Sequence, residues 1–162
     1  MRLTTRSLVA SVACLGLSVA LAGPAGAQTD PQHGLWKLNV AKSKYTPGPG
    51  PTSATTTNEA AGAATKVTVD QTFADGTKRH YEFTAGYDGK DTPIVGNNPD
   101  ADTVARTRVD ASTIKTVSKK GGKVTITQTS AVSKDGKTRT VTTTGTNAKG
   151  QKVHNVAVYE RQ

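Results

Sequence analysis

From residue 28 onward, the chain is a series of short segments in which apolar and polar residues alternate. Val67, Val69 and Phe73 are separated by even numbers of residues, and so are Tyr81 and Phe83 in the next segment. Alternation with a period of two is typical of β-strands that turn one face to a core and the other to water. No segment of this region has a helical period over three turns. The pattern therefore predicts an all-β domain.

Turn sequences separate these segments at intervals of about 10 to 15 residues, which is the rhythm of consecutive hairpins. Asp-Gly pairs at residues 75–76 and 135–136 follow two similar segments, Lys66–Thr72 and Lys123–Thr129, which supports a repeated hairpin. We predict ten strands, at residues 34–39, 52–60, 65–73, 77–86, 90–95, 103–110, 113–119, 123–133, 137–146 and 152–161.

A sheet of ten short antiparallel strands exposes unpaired edges unless it closes. We predict an antiparallel up-and-down meander barrel of about 8–10 strands, because the connections are short and closure removes the edges. A two-sheet β-sandwich is the alternative, although a sandwich usually includes a long crossover connection. Residues 28–162 are expected to form one β-barrel domain.

Residues 1–27 have the three-part form of a secretory signal peptide. Arg2 and Arg6 supply a basic start, an apolar run follows at residues 7–22, and the small residues before Gln28 permit cleavage near Ala27. The apolar run is shorter than the roughly 20 residues that a membrane-spanning helix needs. We therefore predict a periplasmic or secreted protein with no transmembrane segment after cleavage. The single cysteine, Cys14, lies in this leader.

The supply of apolar side chains is small for a folded domain. Leu, Ile, Val and Phe together make up 20 of residues 28–162, a proportion found in disordered chains of high net charge. The same region contains 25 threonines, however, and Thr favours β-strands. Because the apolar residues also alternate regularly, we expect a folded β domain.

Positive charge is concentrated in the C-terminal half. Residues 101–162 contain 12 basic and 4 acidic side chains, a formal charge of +8. Most of the lysines stand at turns. One interpretation is that they are solvated and prevent the edges of the sheet from pairing with other chains; the other is that they attract an anionic ligand or an anionic envelope surface. Nucleic acid is not an expected partner, because aromatic residues for base stacking do not accompany the basic clusters.

No arrangement of residues typical of catalysis or metal binding emerges from the sequence. His33, His80 and His154 lack the local pairing of metal ligands, and neither a nucleophile elbow nor a phosphate-binding glycine motif is present. We therefore expect no metal, no cofactor and no enzymatic activity.

Six side chains are candidates for binding a ligand inside a barrel. Aromatic residues on an inward face could wall a cavity, although they more often pack a core. Arg106 and Arg108 share a face with Val104; they would be solvated if this face is outward and would need an anion if it is inward. The candidates are Tyr81, Phe83, Tyr87, Arg106, Arg108 and Tyr159.

Gly34-Leu35-Trp36 resembles the G-x-W motif that opens the first strand of lipocalins and related calycins. The end of the chain, Val156–Arg161, is similar to the closing strands of fatty-acid-binding-protein barrels. The opening W-K-L-N and the S-K-D-G-K-T hairpin at residues 133–138 are also similar to a group of small exported bacterial proteins. The resemblance implies a calycin-like barrel in which Trp36 packs at the closed end under an arginine.

Arg161 is the first candidate for that arginine, with Arg106 or Arg108 as alternatives. The chain also departs from these families. Pro47–Pro51 stands in place of the helical lid of fatty-acid-binding proteins, and Ala157 occupies the position of their carboxylate-binding arginine. The lipocalin Thr-Asp-Tyr motif is absent.

These features indicate an exported, carrier-type barrel that binds a small, partly apolar molecule, either anionic or lipid-like. The alternative is a non-catalytic structural or interaction module of the cell envelope, whose cationic C-terminal half contacts an anionic surface.

Overall fold

The computed structural model describes residues 29–162, which form eleven β-strands and contain no helix. The signal-peptide prediction and Cys14 lie outside the described residues. The strands are β1 (Gly34–Lys44), β2 (Ser53–Ala61), β3 (Ala64–Thr72), β4 (Lys78–Ala85), β5 (Thr92–Pro93), β6 (Val95–Gly96), β7 (Thr103–Arg108), β8 (Thr113–Lys120), β9 (Lys123–Val132), β10 (Thr138–Thr146) and β11 (Lys152–Arg161).

The eleven strands form one antiparallel sheet in meander order. The last strand, β11, pairs with the first, β1, with Trp36 opposite Arg161. β5 pairs with β7 and β6 pairs with β4, so the short segment 92–96 nearly closes the sheet into a barrel. The prediction of an all-β, up-and-down barrel is confirmed, and the sandwich alternative is not.

Two strand predictions need correction. The strand expected at residues 90–95 is two short strands. Before Ile94 the segment pairs with β7, as β5, and after Ile94 it pairs with β4, as β6. The first strand does not end at residue 39. A register shift between Asn39 and Lys44 allows β1 to continue, and Lys44 then pairs with Val156.

The interior of the barrel is partly apolar and partly polar. One cluster of buried residues consists of Trp36, Leu38, Ala54, Val132, Ala157 and Tyr159. Elsewhere, the inward positions of several strands carry hydroxyl and amide groups that are buried as well: Thr56, Asn58, Thr116, Ser118, Ser130 and Thr143. A chain with few aliphatic residues can therefore fill the interior of a barrel, because threonine and serine side chains occupy inward positions where aliphatic residues such as valine are more usual.

One end of the barrel, here called the lower end, is closed by residues 30–33. Gln32 is fully buried there, and its Nε2 donates hydrogen bonds to the carbonyl oxygens of Ser112 (2.7 Å) and Ser130 (3.1 Å). Ser130 Oγ in turn donates to Gln32 Oε1. These bonds fix the segment across the end of the barrel, below the ends of β8 and β9.

The opposite, upper end carries the turns that join β3 to β4, β8 to β9 and β10 to β11. The loop of residues 97–102 packs against two of these hairpins. Thr125 Oγ1 donates to the carbonyl oxygen of Asp100 at 2.7 Å, and the Ala148 amide donates to Asp100 Oδ1 at 2.7 Å. The loop therefore narrows the upper end.

Candidate ligand site inside the barrel

A cavity of about 110 Å³ lies inside the barrel. Four of the six candidate ligand-binding residues line it, namely Tyr81, Phe83, Arg106 and Tyr159. Aliphatic side chains form part of the wall, and the amide, hydroxyl and guanidinium groups of other inward residues complete it. The aliphatic residues are Val67, Val69, Val104, Ile114 and Val141, and the further polar residues include Asn58, Gln71, Asn98, Thr116, Gln128, Ser130 and Arg139.

Arg106 on β7 points into the barrel and is only 2% exposed. Of the two orientations that the sequence left open for this strand, the structure therefore has the inward one. The Arg106 guanidinium carbon lies 4.8 Å from the centre of the Tyr87 ring and 5.9 Å from that of Phe83. Its Nη1 has no hydrogen-bond partner. Burial lowers the pKa of Arg106, since a desolvated cation is unfavourable.

Arg139 on β10 is a second buried arginine, 5% exposed, that the sequence analysis did not identify. Its guanidinium carbon lies 5.0 Å from the Trp36 ring centre and 4.9 Å from that of Tyr159, and its Nε has no hydrogen-bond partner. Burial, together with the positive charges of Arg106 and Arg161, lowers the pKa of Arg139 to about 10. The sequence did contain one indication of this position: Arg139 lies two residues before Val141 in a predicted strand, so the two side chains share a face.

Neither Arg106 nor Arg139 belongs to any ion pair among residues 29–162. Two guanidinium groups thus face one cavity without a carboxylate in direct contact with either. An unpaired buried charge is costly, and buried polar atoms in proteins are nearly always paired.

The two remaining candidates, Tyr87 and Arg108, do not line the cavity but meet at the lower end. The Tyr87 hydroxyl donates to Asp30 Oδ2 at 2.6 Å, and Arg108 forms an ion pair with the same carboxylate. Burial acts to raise the pKa of Asp30, but hydrogen bonds from Tyr87, the Gln32 amide and Arg108 lower it overall. Arg108 therefore has the direct ion pair that Arg106 lacks, while the Asp30 carboxylate favours the charged form of Arg106 only from a longer distance.

Trp36 is fully buried at the lower end, and its Nε1 donates to the carbonyl oxygen of Gln32 at 3.0 Å. The Arg161 guanidinium carbon lies 4.2 Å from the Trp36 ring centre. A side chain on Gly34 would place its Cβ 2.6 Å from Arg161 Nη1, so this glycine leaves the space that the arginine occupies. Arg161 also donates to three backbone carbonyl oxygens, those of Pro31, His33 and Gly136.

Asn58 contributes a third unpaired group to the wall of the cavity. Its Nδ2 donates to the carbonyl oxygen of Gln32 at 2.7 Å, which fixes the orientation of the amide. Its Oδ1 is buried and has no hydrogen-bond partner. The unpaired atoms Arg106 Nη1, Arg139 Nε and Asn58 Oδ1 all belong to residues that line the cavity.

The histidines lie away from this cavity. His80 Nδ1 is 2.7 Å from Asp70 Oδ1, but both side chains are more than half exposed, and His33 Nε2 is 3.2 Å from the hydroxyl of Thr65. Across residues 29–162, no group of three or more His, Cys, Asp or Glu side chains is arranged to hold a metal ion. In the same part of the chain, no helix has the length and apolar character needed to span a membrane.

Comparison of the chain with protein-family models and with curated proteins finds no match. The fold and the site define its class by themselves. It is a nearly closed antiparallel β-barrel, compatible with a lipocalin-like barrel, with a small cavity beside two buried arginines.

Proposed function

We propose that this protein is an exported, carrier-type binding protein whose barrel holds a small, partly apolar anionic molecule. The observation that carries the proposal is the pair Arg106 and Arg139, which are buried beside the cavity without a carboxylate partner. A bound anion would supply the missing counter-charge and accept hydrogen bonds from the guanidinium groups. The aliphatic and aromatic parts of the wall would contact the apolar part of the ligand.

The size of the cavity supports a small ligand over a lipid. Its volume of about 110 Å³ is of the order that a single small organic molecule fills. A long acyl chain therefore has no space inside the barrel in this conformation. The absence of an arginine at Ala157, where fatty-acid-binding proteins have theirs, agrees with this preference.

The charge around the upper end also favours an anion. Because residues 30–33 close the lower end, a ligand would enter from the upper end. Five lysines stand on the two hairpins there, and a cationic rim of this kind raises the association rate of anions in a salt-dependent way. These lysines are Lys119, which is paired with Asp91, Lys120 and Lys123 on the β8–β9 hairpin and Lys149 and Lys152 on the β10–β11 hairpin.

We further propose that the barrel is calycin-like. In support, the tryptophan of the G-x-W sequence is buried at the lower end with Arg161 over its ring. The glycine of the same sequence leaves room for that arginine.

The binding proposal can be tested with the single tryptophan as reporter, since Arg139 lies against Trp36. Butyrate and succinate are titrated into the protein at pH 7, with butane-1,4-diol as the neutral control. We expect saturable changes in tryptophan emission with at least one anion and none with the diol. Arg106→Met and Arg139→Met each remove a charge at similar volume and should weaken anion binding by at least tenfold.

Lys115→Met is the matched control, because it removes one positive charge from an exposed position of β8. Its anion binding should equal that of the wild type. The proposal is wrong if no organic anion binds, or if all three variants bind anions as tightly as the unmodified protein does.

The cationic rim also favours a second candidate, a non-catalytic envelope module that contacts an anionic surface. Its formal charge of +8 in residues 101–162 is the observation in its support. This candidate predicts salt-sensitive sedimentation with vesicles that contain anionic lipid, unaffected by Arg106→Met or Arg139→Met. Binding to vesicles without any binding of small anions would favour it over the carrier.

A further inference from the structure

We propose that the ligand is a small dicarboxylate of about four carbons that also carries a hydroxyl group. This inference rests on the proposed function, because it names the chemical class of the anion that the cavity would hold. Three features of the site carry it: the number of uncompensated charges, the separation of the two arginines on the barrel wall, and the third unpaired atom, which is an acceptor.

The charge inside the barrel requires two negative groups. Arg106 and Arg139 are 2% and 5% exposed, and neither belongs to an ion pair of the described residues. The carboxylate of Asp30 is already bound to Arg108 and to Tyr87. A monoanion would compensate one guanidinium and leave the other buried and unpaired, whereas a dianion compensates both.

The two arginines come from different walls of the barrel. β8 and β9 separate β7 from β10 in the sheet, and different aromatic rings support each guanidinium: Phe83 and Tyr87 for Arg106, and Trp36 and Tyr159 for Arg139. Such an arrangement suits two separate acidic groups. Because the rest of the wall includes Val67, Val104, Ile114 and Val141, a carbon skeleton fits between those groups better than an inorganic anion does.

The third feature is the unpaired Oδ1 of Asn58. Asn58 Nδ2 is used by the carbonyl oxygen of Gln32, so the side chain can offer the cavity only an acceptor. A carboxylate cannot satisfy an acceptor, but a hydroxyl group can donate to it. The cavity volume of about 110 Å³ limits the ligand to a few carbons.

The test compares five probes by calorimetric titration at pH 7: malate, succinate, butyrate, suberate and inorganic phosphate. We expect succinate to bind at least tenfold more tightly than butyrate, and malate about fivefold more tightly than succinate. Suberate, an eight-carbon dicarboxylate, should bind at least tenfold more weakly than succinate because the cavity is too small for it. Asn58→Ala should abolish the preference for malate over succinate.

Butyrate that binds as tightly as succinate would overturn the dicarboxylate assignment but leave the proposed anion-binding function intact. Phosphate that binds as tightly as succinate would overturn the inference that the ligand has a carbon skeleton, and would also leave the proposed anion-binding function intact. A malate preference that survives in Asn58→Ala would overturn the role of Asn58. Failure of every organic anion to bind would instead reject the proposed function itself.

Discussion

At the scale of single residues, Arg106 and Arg108 show what a local pattern can predict. They lie two residues apart on β7 and share a face, as the sequence predicts, yet only Arg108 has a carboxylate partner. The difference arises because Arg108 reaches the lower end, where Asp30 from the distant start of the domain meets it. Arg106 is the next residue on the same face of β7 and lies further from the lower end, inside the barrel. Contacts between residues so far apart in the sequence leave no signal in the pattern of a single strand.

Arg139 was missed for a related reason. Its parity with Val141 places both residues on one face of β10, but alternation does not say whether a face turns inward or outward. In this chain, threonine occupies positions on both faces of the strands, so the usual contrast between an apolar and a polar face is weak. A buried arginine is also uncommon enough that an outward position is the natural first interpretation.

The unpaired arginines lead to a prediction about stability in the absence of ligand. Arg139→Met should raise the free energy of unfolding of the ligand-free protein by about 1–3 kcal/mol, because an uncompensated buried charge is replaced by an apolar side chain of similar length. Arg106→Met should act in the same direction. Urea denaturation at pH 7, followed by tryptophan emission or circular dichroism, measures the change.

Arg161→Met is the control for this comparison. Its guanidinium donates to three backbone carbonyl oxygens and covers Trp36, so its loss should lower the free energy of unfolding. If Arg139→Met destabilises the protein as much as Arg161→Met does, Arg139 has a structural role and the argument for a ligand counter-charge loses its basis.

At the scale of strands, the hairpins were predictable and the closing segment was not. Alternation and Asp-Gly turns were sufficient to predict β3, β4, β9 and β10 within a few residues of their observed bounds. The segment 92–96 instead depends on two neighbours that are far apart in the meander, and it changes partner at Ile94. Pro93, which has no amide hydrogen, occurs in one of its two-residue strands.

Gly96 on β6 provides a test of the importance of this closing segment. Its φ is +102°, and an added Cβ would contact the carbonyl oxygen of His80 and lie 2.9 Å from Tyr81 Cα. Gly96→Ala should therefore push β6 away from β4 and lower the free energy of unfolding by roughly 2 kcal/mol or more. Hydrogen exchange should accelerate at the Asn97 amide, which donates to the carbonyl oxygen of His80.

The matched control is Gly62→Ala in the β2–β3 turn. Gly62 also has a positive φ, of +62°, but an added Cβ meets nothing within 4 Å. We expect a loss of only about 1 kcal/mol, from backbone strain alone. Equal losses in the two variants would mean that the contact between β6 and β4 contributes little to the stability of the barrel.

At the scale of the whole molecule, the fold combines a closed lower end, a polar interior and a cationic upper end. The sequence predicted the barrel because short hairpins with exposed edges favour closure. It did not predict the closure of the lower end by Gln32, because that residue precedes the first strand and forms its hydrogen bonds with Ser130 on β9 and with Ser112 in the turn before β8. The cavity depends on how all the strands curve together, which no local pattern encodes.

The tyrosines give the barrel a predictable response to alkaline pH. The chain has four tyrosines, and burial raises the pKa of each of them: Tyr45, Tyr81, Tyr87 and Tyr159. In the unfolded chain a tyrosine ionises near pH 10. Above that pH, the unfolded state releases protons that the folded state keeps, so stability must fall as the pH rises. Arg106 and Arg139, with their lowered pKa values, act in the opposite direction, but they are two groups against four.

We therefore expect the free energy of unfolding to stay nearly constant between pH 7 and 9 and to fall above pH 10, by up to about 1.4 kcal/mol per pH unit for each tyrosine. Urea denaturation at pH 7, 9 and 10.5 measures the fall, and absorbance at 295 nm shows whether tyrosinate forms in the folded protein. Tyr45→Phe should reduce the slope above pH 10, whereas Lys115→Met should not. Ionisation of all four tyrosines at pH 10 without unfolding would contradict the prediction, because their hydroxyl groups would then be as accessible to water as in the unfolded chain.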